Sequence, residues 1–167
     1  MTRRGQAGDD RMEERAREAA MAQHTRLAEE LRAYGASFNE LGRRFADRLG
    51  IHLTDAFALM EIAKAESAGA PLSPAQLGKR VALSSGAMTA LVNRLEEHGY
   101  VSRVREHADR RVVTLYARAR AKELAEEFFG PIVQRQEQLL GRYTQEQLHH
   151  VETFLAGMRA AMDEQLG

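Results

Sequence analysis

A stripe of large apolar residues runs through the first third of the chain. Its members recur at spacings of four and three, which predicts one face of a helix running to about Arg48: Leu27, Leu31, Tyr34, Phe38, Leu41, Phe45 and Leu49. Such a stripe favours a packing surface, within the chain or with a second copy, over a small-molecule site. The polar stretch 1–9 is expected to fray, and Asp10 with Glu13 has the form of a capping box that starts the helix.

A second helix is predicted between Thr54, as its N-cap, and Gly69, which ends it. Its buried face is expected to consist of Ala56, Phe57, Leu59, Met60 and Ala63.

Three start signals then agree on one short helix. Ser73 occupies the N-cap, Pro74 the first helical position and Gln76 the third, so a helix is predicted from here to about Ala82.

Another helix follows after a turn of about three residues. Ser84 or Ser85 caps it, and it is predicted to run to about His98 and to end at Gly99. Two helices joined so tightly form a helix-turn-helix, the arrangement that offers its second helix to a DNA groove.

The remaining pattern changes from strands to helices. The Val- and Tyr-rich segments 100–106 and 112–116 flank the charged segment 107–111 and predict a β-hairpin. From Ala117 a helix is predicted to about Arg142, with a bend at Gly130–Pro131. Thr144 and Gln147 form a capping box for a final helix, whose apolar stripe is Leu148, Val151, Phe154, Leu155, Met158 and Met162.

Charge is distributed unevenly along this neutral chain of 167 residues, in which 24 basic residues balance 24 acidic ones. Between Lys79 and Arg120, nine basic side chains stand against four acidic ones, a net charge of +5, so the rest carries −5. The segment predicts a local anion-binding surface, with a solvated charged face as the alternative.

Composition excludes several kinds of chemistry. Without cysteine, the chain has no disulfide, thiolate nucleophile or zinc-thiolate site. No stretch approaches the ~20 consecutive apolar residues of a membrane span, and the N-terminus has no apolar signal region, so a cytoplasmic location is expected. A paired nucleophile and base, a phosphate-binding Gly loop and a metal-ligand cluster are also missing, and no enzyme is predicted.

Two groups of histidines raise the question of a metal site. They are His149–His150 with Glu146, and His107 beside Asp109. Adjacent histidines on a helix point about 100° apart, so exposed side chains are favoured and no metal or other cofactor is predicted.

The helix after Ser84 carries the candidate chemistry. Its core face is fixed by Met88, Leu91, Val92 and Leu95, which leaves a polar face of Ser85, Gly86, Thr89, Ala90, Asn93 and Arg94. The residues near its start are small and allow close approach to a partner. Ser and Thr can bond phosphate or base, Asn can pair bidentately with adenine, Arg can bond guanine or phosphate, and the helix N-terminus attracts a phosphate.

These residues resemble a known family. Leu83–Val101 resembles the recognition helix of the MarR family of transcription regulators, and Asp109-Arg110-Arg111 is similar to that family's wing motif. The resemblance implies that Asp109 orients Arg111 by an ion pair toward the minor groove, where narrow A·T tracts attract arginine. Arg110 is expected either in that role or at a phosphate.

The resemblance also implies a homodimer of mainly α fold with a small β-hairpin wing. A winged helix-turn-helix domain, 53–117, would be flanked by long N- and C-terminal dimerisation helices in 23–52 and 118–167, after an extension over 1–22. A two-fold dimer places its recognition helices about 34 Å apart, which suits a pseudo-palindromic operator in double-stranded DNA. One departure is Leu115–Arg120, which lacks the family's Thr and Gly at the next helix; Arg118 and Arg120 would contact phosphate or lie in solvent.

The implied function is therefore a sequence-specific DNA-binding regulator, a ligand-responsive repressor. The alternative is a helical dimeric assembly or small-molecule-binding module without a specific DNA target, and salt-dependent DNA binding separates the two. The predicted DNA contacts are Ser73, Ser84, Ser85, Gly86, Thr89, Asn93, Arg94, Arg103, Asp109, Arg110 and Arg111.

An effector site is also expected from the resemblance, in a crevice between the dimerisation helices and the winged lobe. It would take a small anionic or phenolic compound, with Arg43 or Arg44 near enough to meet an acid. The predicted contacts are Tyr34, Phe38, Arg44, His52, Phe57 and Met60. Tyr34 and Phe38 also belong to the apolar stripe, and a core role is the alternative for them.

Overall fold

The computed structural model describes the backbone over residues 3–105 and 113–166 and the side chains over 12–105 and 113–165. Within these ranges the chain forms six helices and one antiparallel pair of strands. Their bounds are α1 Arg3–Leu49, α2 Leu53–Ser67, α3 Pro74–Arg80, α4 Ser85–Glu97, β1 Val101–Arg105, β2 Val113–Ala117, α5 Ala119–Leu140 and α6 Gln145–Leu166. The predicted mainly α fold with a β-hairpin wing is confirmed.

Side-chain caps fix the starts of three helices. Gln76 donates its backbone N–H to Ser73 Oγ at 3.3 Å, and the Ser73 N–H donates to Gln76 Oε1 at 2.8 Å, so the predicted capping box is confirmed. The same reciprocal pair joins Thr144 and Gln147 before α6. Of the two candidate serines before α4, it is Ser84 whose Oγ accepts the N–H of Ala87.

Some predicted boundaries are wrong. Helix α1 begins at Arg3, so it neither frays over the whole of 1–9 nor starts after Asp10. Helix α2 is capped by the extended backbone of His52, whose carbonyl accepts the Ala56 N–H at 3.0 Å, and Thr54 lies inside the first turn. Helix α5 begins at Ala119, because β2 continues the sheet to Ala117.

The core lies inside the winged lobe and at the end of α1. The predicted core face of α4 is confirmed, since Met88, Leu91, Val92 and Leu95 are all buried. On α2 the buried face is rotated from the predicted one: Ala56 and Leu59 are buried, but Phe57, Met60 and Ala63 are half-buried. The other buried residues of that helix are Asp55, Ala58, Ile62 and Ala65.

Aromatic and hydrogen-bond contacts tie the lobe to the long helices. The ring of Phe45 on α1 lies 5.3 Å from that of Phe128 and 4.7 Å from that of Phe129, both on α5. The buried Tyr100 hydroxyl, just before β1, donates to the Leu49 carbonyl at 2.9 Å. The lobe and the end of α1 are therefore packed as one unit.

The turn between α3 and α4 is tight. Leu83 donates its N–H to the Gly78 carbonyl at 3.0 Å, and between them Ala82 has φ of +52°, a left-handed conformation that usually favours glycine. A β-carbon on buried Gly78 would lie 3.4 Å from the Leu83 carbonyl oxygen, at the edge of ordinary van der Waals contact, so the turn packs closely against α3 here.

The long helices leave large apolar side chains in solvent. No described residue of α1 before Gly42 is buried, and the same holds for α6 over 145–165. The exposed set on these helices and α5 includes Leu27, Tyr34, Phe38, Leu139, Leu140, Val151, Phe154, Leu155, Met158 and Met162. We call the part of this set on α6, Val151 to Met162, the α6 stripe.

Candidate nucleic-acid interface

The first two turns of α4 present small side chains to solvent. Ser85, Gly86, Thr89 and Asn93 are all exposed, as predicted. The Thr89 hydroxyl donates to the Ser85 carbonyl at 2.9 Å, which fixes its rotamer along the helix. A β-carbon on Gly86 would meet no atom within 4 Å, so the fold itself does not require glycine at this position.

The two capping serines lie at the starts of the two helices of the motif. Ser73 and Ser84 each accept a backbone N–H through Oγ, which leaves the hydroxyl proton of each able to donate. An open crevice of about 640 Å³ separates α3 from the first turns of α4. Its rim carries the polar side chains of Lys79, Ser85 and Thr89.

Arg94 does not lie on the outward polar face, and that prediction is wrong. Its Nε and Nη2 donate to Asp55 Oδ2 and Oδ1 at 2.8 and 2.7 Å. Asp55 on α2 is only 1% exposed, whereas the Arg94 side chain is 40% exposed. Arg94 stands at the border between the two faces of α4, and its long side chain reaches back to a carboxylate that would otherwise be buried without a partner.

The pair has a defined response to pH. The hydrogen bond from Arg94 to Asp55 raises the pKa of the guanidinium above its ordinary value, against the opposing effect of burial. Because the pKa of Arg94 is higher in the folded protein than in the unfolded chain, the ion pair contributes its full stability at pH values below the pKa of the unfolded chain. This contribution is lost as the pH rises through the pKa of the folded protein. Arg94 therefore stays charged except in strongly alkaline solution.

Arg103 on β1 contacts the exposed face of α4. Its Nη2 donates to Asn93 Oδ1 at 2.7 Å, and its Nη1 lies 2.6 Å from Glu96 Oε2. The backbone N–H of Arg103 also donates to Glu96 Oε1 at 3.2 Å. We call Asn93, Glu96 and Arg103 the wing–helix triad. Sequence analysis identified Asn93 and Arg103 as separate DNA contacts but missed Glu96 and the link between them.

Several other basic side chains of the +5 segment have partners. Arg80 lies 3.3 Å from Glu61. The guanidinium of Arg120 is exposed and lies 5.9 Å from the centre of the Tyr100 ring, a cation–π distance. Arg118 is exposed, and its backbone N–H donates to the Tyr100 carbonyl. His107, Asp109, Arg110 and Arg111 lie outside the described residues.

The predicted effector contacts do not form one crevice. Phe38, Phe57 and Met60 line a cleft of about 450 Å³ between α1, α2 and the end of α3, with the two rings stacked at 6.2 Å. Tyr34 lines a second cleft, of about 120 Å³ against α5, and Phe38 lies on the wall of both clefts. His52 is exposed at the start of α2.

Arg44 lines a third, open depression on α1. Its Nε lies 2.9 Å from Glu40 Oε1. This hydrogen bond, together with the charge of Arg43, lowers the pKa of the Glu40 carboxyl. Arg44 is therefore paired within its own helix and lies apart from the cleft of Phe38 and Phe57.

Over the described ranges, no three His, Asp or Glu side chains are close enough to hold a metal ion, and His149 lies 4.0 Å from Glu152 as part of an exposed pair. None of the described helices combines the length and apolar character needed to cross a membrane.

The fold and the exposed face of α4 define a winged helix-turn-helix protein. Residues 49–112 match the sequence profile of the MarR family. The helix-turn-helix-type transcriptional regulator YcgE of Bacillus subtilis is 32% identical over 136 residues, which cover 77% of this chain and 86% of the relative. The chain belongs to the MarR family of transcription regulators.

Solved structures share the fold. A point mutant of MepR from multidrug-resistant S. aureus superimposes with a TM-score of 0.63 at 14% identity, covering 79% of this chain and 94% of that one. A complex of S. aureus MepR with DNA superimposes with a TM-score of 0.53 at 14% identity, covering 78% of this chain and 96% of that one.

Proposed function

We propose that this MarR family regulator is a repressor that binds a pseudo-palindromic operator in double-stranded DNA as a homodimer. The observation that carries the proposal is the start of α4, where Ser85, Gly86 and Thr89 form an exposed face of small residues. Because a β-carbon on Gly86 would meet open space, the small size there serves something outside the chain. The fold shared with a MepR–DNA complex supports DNA as that partner.

The chemistry of this face suits a major groove. The first N–H groups of α4 have no intrahelical acceptor and, with the helix dipole, favour a phosphate near Ser84 and Ser85. Thr89 and Asn93 lie farther along the helix, where side chains reach base edges. Ser73, at the start of α3, is assigned to a phosphate.

The wing completes the interface in this proposal. Asp109, Arg110 and Arg111 follow β1, with Arg111 entering the minor groove and Asp109 holding it by an ion pair. Arg94 has a different role from the one that its sequence position suggested. Its ion pair with Asp55 fixes the angle of α4 on α2, so Arg94 supports the reading face without touching a base.

A second copy of the chain is the proposed partner of the α6 stripe. A helix of 22 residues whose apolar face contacts solvent needs another surface to cover it. Exposed apolar residues on α1 and α5 extend the same need, and a two-fold dimer could bury these helices against each other. The dimer would also present two recognition helices, one for each half of a palindromic operator.

The cleft of Phe38, Phe57 and Met60 is the proposed effector site. Its floor is aromatic, and Arg80 lies on its wall with Glu61. An aromatic surface beside a guanidinium suits a small phenolic or anionic compound. Binding there would act on the contact between α1 and α2, and so on the position of the winged lobe.

The proposal is tested by fluorescence anisotropy with the DNA upstream of the protein's own gene and with a scrambled duplex, each at two salt concentrations. Salt-sensitive binding that is orders of magnitude tighter on the upstream DNA is expected. Equal weak binding to both duplexes would contradict a sequence-specific function. The lack of any binding at low salt would favour an assembly or small-molecule-binding module.

A further inference from the structure

We propose that Arg103 is a positioning residue: it binds the oxygen of the Asn93 side chain and leaves the Asn93 amide N–H groups to act as donors. The base that Asn93 faces in each half-site is then guanine and not adenine. The inference rests on the proposed DNA-binding function and adds the chemistry of one base position. It is carried by the wing–helix triad.

The triad joins β1 to the exposed face of α4. Asn93 and Glu96 are three residues apart and so lie on one face of α4, one turn from each other. Arg103 spans them from β1, with donor–acceptor distances of 2.7 Å to Asn93 Oδ1 and 2.6 Å to Glu96 Oε2. Its strand is anchored by buried Val101, which pairs with Ala117 of β2. The position of the Arg103 side chain is therefore fixed by its contacts with α4 and by the pairing of its own strand.

The orientation of the Asn93 amide follows from the chemistry of its partner. An arginine side chain has five N–H donors and no acceptor, so only the oxygen of Asn93 can face it. The amide nitrogen then points to the other side, away from the guanidinium. Glu96, 30% exposed, directs its carboxylate to Arg103, and the pair of Asn93 and Arg103 offers N–H groups beside it: the Asn93 amide and the Arg103 donors that Asn93 and Glu96 do not use.

A surface of donors selects among the bases. Adenine offers N7 as an acceptor and N6 as a donor, and a bidentate contact with it needs the asparagine oxygen. Here that oxygen already accepts a charged donor, and the adenine amino group would have to approach beside a guanidinium. Guanine offers two acceptors, N7 and O6, which match the Asn93 amide and Arg103 together.

The rival role for Arg103 is a direct phosphate contact. In that case Arg103 would leave Glu96 on binding and would contribute to the affinity for every sequence. The two roles differ in what they predict for salt, because each phosphate contact that is lost reduces the salt slope of binding by about one.

The experiment selects duplexes from a random library with the full chain and then measures anisotropy on the selected operator and its single guanine-to-adenine variant at four salt concentrations. The proteins are the wild type, Asn93→Ala, Arg103→Met, the double variant and Arg103→Lys, which keeps the charge but loses the planar fork. Arg105→Met is the control, because Arg105 is exposed two residues along the same strand. Thermal unfolding confirms that each variant is folded.

We expect the wild type to select guanine at one position per half-site and to prefer it over adenine by roughly tenfold. Asn93→Ala, Arg103→Met and Arg103→Lys should each remove that preference, with no further loss in the double variant. The salt slope of Arg103→Lys should equal that of the wild type. Arg105→Met should leave the base preference unchanged.

Three results would overturn the inference. The first is selection of adenine at the position that Asn93→Ala affects. The second is a uniform loss of affinity in Arg103→Met with a smaller salt slope and an unchanged motif. The third is an enriched motif in which no position responds to Asn93→Ala. A wild type that enriches no sequence at all would instead contradict the proposed function, and the inference would fail with it.

Discussion

Glycine at position 86 is not required by the packing of the chain itself. It lies in the first turn of α4, inside the helix, where glycine is less favourable than alanine by about 1 kcal/mol. The structure offers no compensation for that cost, because a β-carbon would meet open space. Close approach of DNA to the helix backbone is the compensation that the proposed function supplies.

Gly86→Ala should therefore change stability and binding in opposite directions. We expect the free energy of unfolding to rise by about 0.5–1 kcal/mol and operator affinity to fall by about tenfold. Chemical denaturation and anisotropy measure the two effects. Unchanged affinity in the more stable variant would contradict the close approach of DNA at this position.

The Asp55–Arg94 pair makes an asymmetric prediction. Arg94→Ala leaves a carboxylate that is 1% exposed without its partner and should cost about 3 kcal/mol. Asp55→Ala leaves a guanidinium that is already 40% exposed and can be solvated, so it should cost about half as much. The double variant should lose less stability than the sum of the two single variants, because the same pair is lost in both.

Urea denaturation of the four proteins tests the pair. Strictly additive losses would show that the two side chains do not act together. Any loss of DNA affinity in Arg94→Ala should be matched in Asp55→Ala once both proteins are folded, because the proposed role of Arg94 is to orient α4.

At the scale of elements, local signals predicted helix starts well. The caps at Ser73, Ser84 and Thr144 are each made by a side chain within three residues of the N–H it accepts, so the sequence around them contains the whole interaction. The exposed start of α4 followed from a single helix period in the same way.

Features that join distant parts of the chain could not be predicted from the sequence. Asp55 and Arg94 are 39 residues apart, and only the packing of α2 against α4 brings them together. The role of Arg103 depends on how the strand returns across α4, which the pattern of the strand does not specify. A visible signal for the pair was present at Asp55, a charged residue within the apolar run of α2.

The contact between α1 and α2 depends on one glycine. A β-carbon on Gly42 would lie 2.9 Å from Phe57 Cζ and 3.4 Å from Leu53 Cδ1, closer to the ring than atoms normally pack. Phe57 in turn stacks on Phe38, which lies on the same helix as Gly42, so a ring displaced away from α1 by a side chain at position 42 would give up part of that contact. The absence of a side chain at position 42 therefore sets the distance between the two helices.

Gly42→Ala should lower the free energy of unfolding by about 1–2 kcal/mol, because overpacking outweighs the gain in helix propensity. Gly86→Ala is the matched control and should have the opposite sign. Adding Phe57→Leu to Gly42→Ala should restore part of the loss in the same urea titration. A stabilised Gly42→Ala protein would mean that the helices separate without cost.

At the scale of the whole molecule, the winged lobe has a complete core and the long helices do not. Phe45, Ile62, Leu91 and Leu115 are fully or almost fully buried inside the lobe and at its junction with α1. Phe154, Leu155 and Met158 on the α6 stripe are 41%, 47% and 37% exposed. Over the described residues, the single chain thus combines a packed lobe with long helices whose apolar side chains contact solvent.

Leu155→Glu should break the homodimer, because it places a carboxylate in the middle of the proposed interface. Sedimentation equilibrium should give a monomer, and operator affinity should fall by roughly a hundredfold because one reading head binds alone. Thr153→Glu puts the same charge on the opposite face of α6 and should leave the dimer intact. A dimeric Leu155→Glu protein with normal affinity would exclude the α6 stripe as the interface.

The ion pair of Asp55 and Arg94, in which only the aspartate is buried, also bears on how the sequences of relatives differ. Since either residue alone is costly, a lineage that replaces one should soon replace the other, and positions 55 and 94 should change together among aligned relatives. Relatives that lack the carboxylate should carry an apolar or short side chain at position 94. A base contact at position 94 would instead tie that residue to the operator sequence and leave position 55 to vary independently.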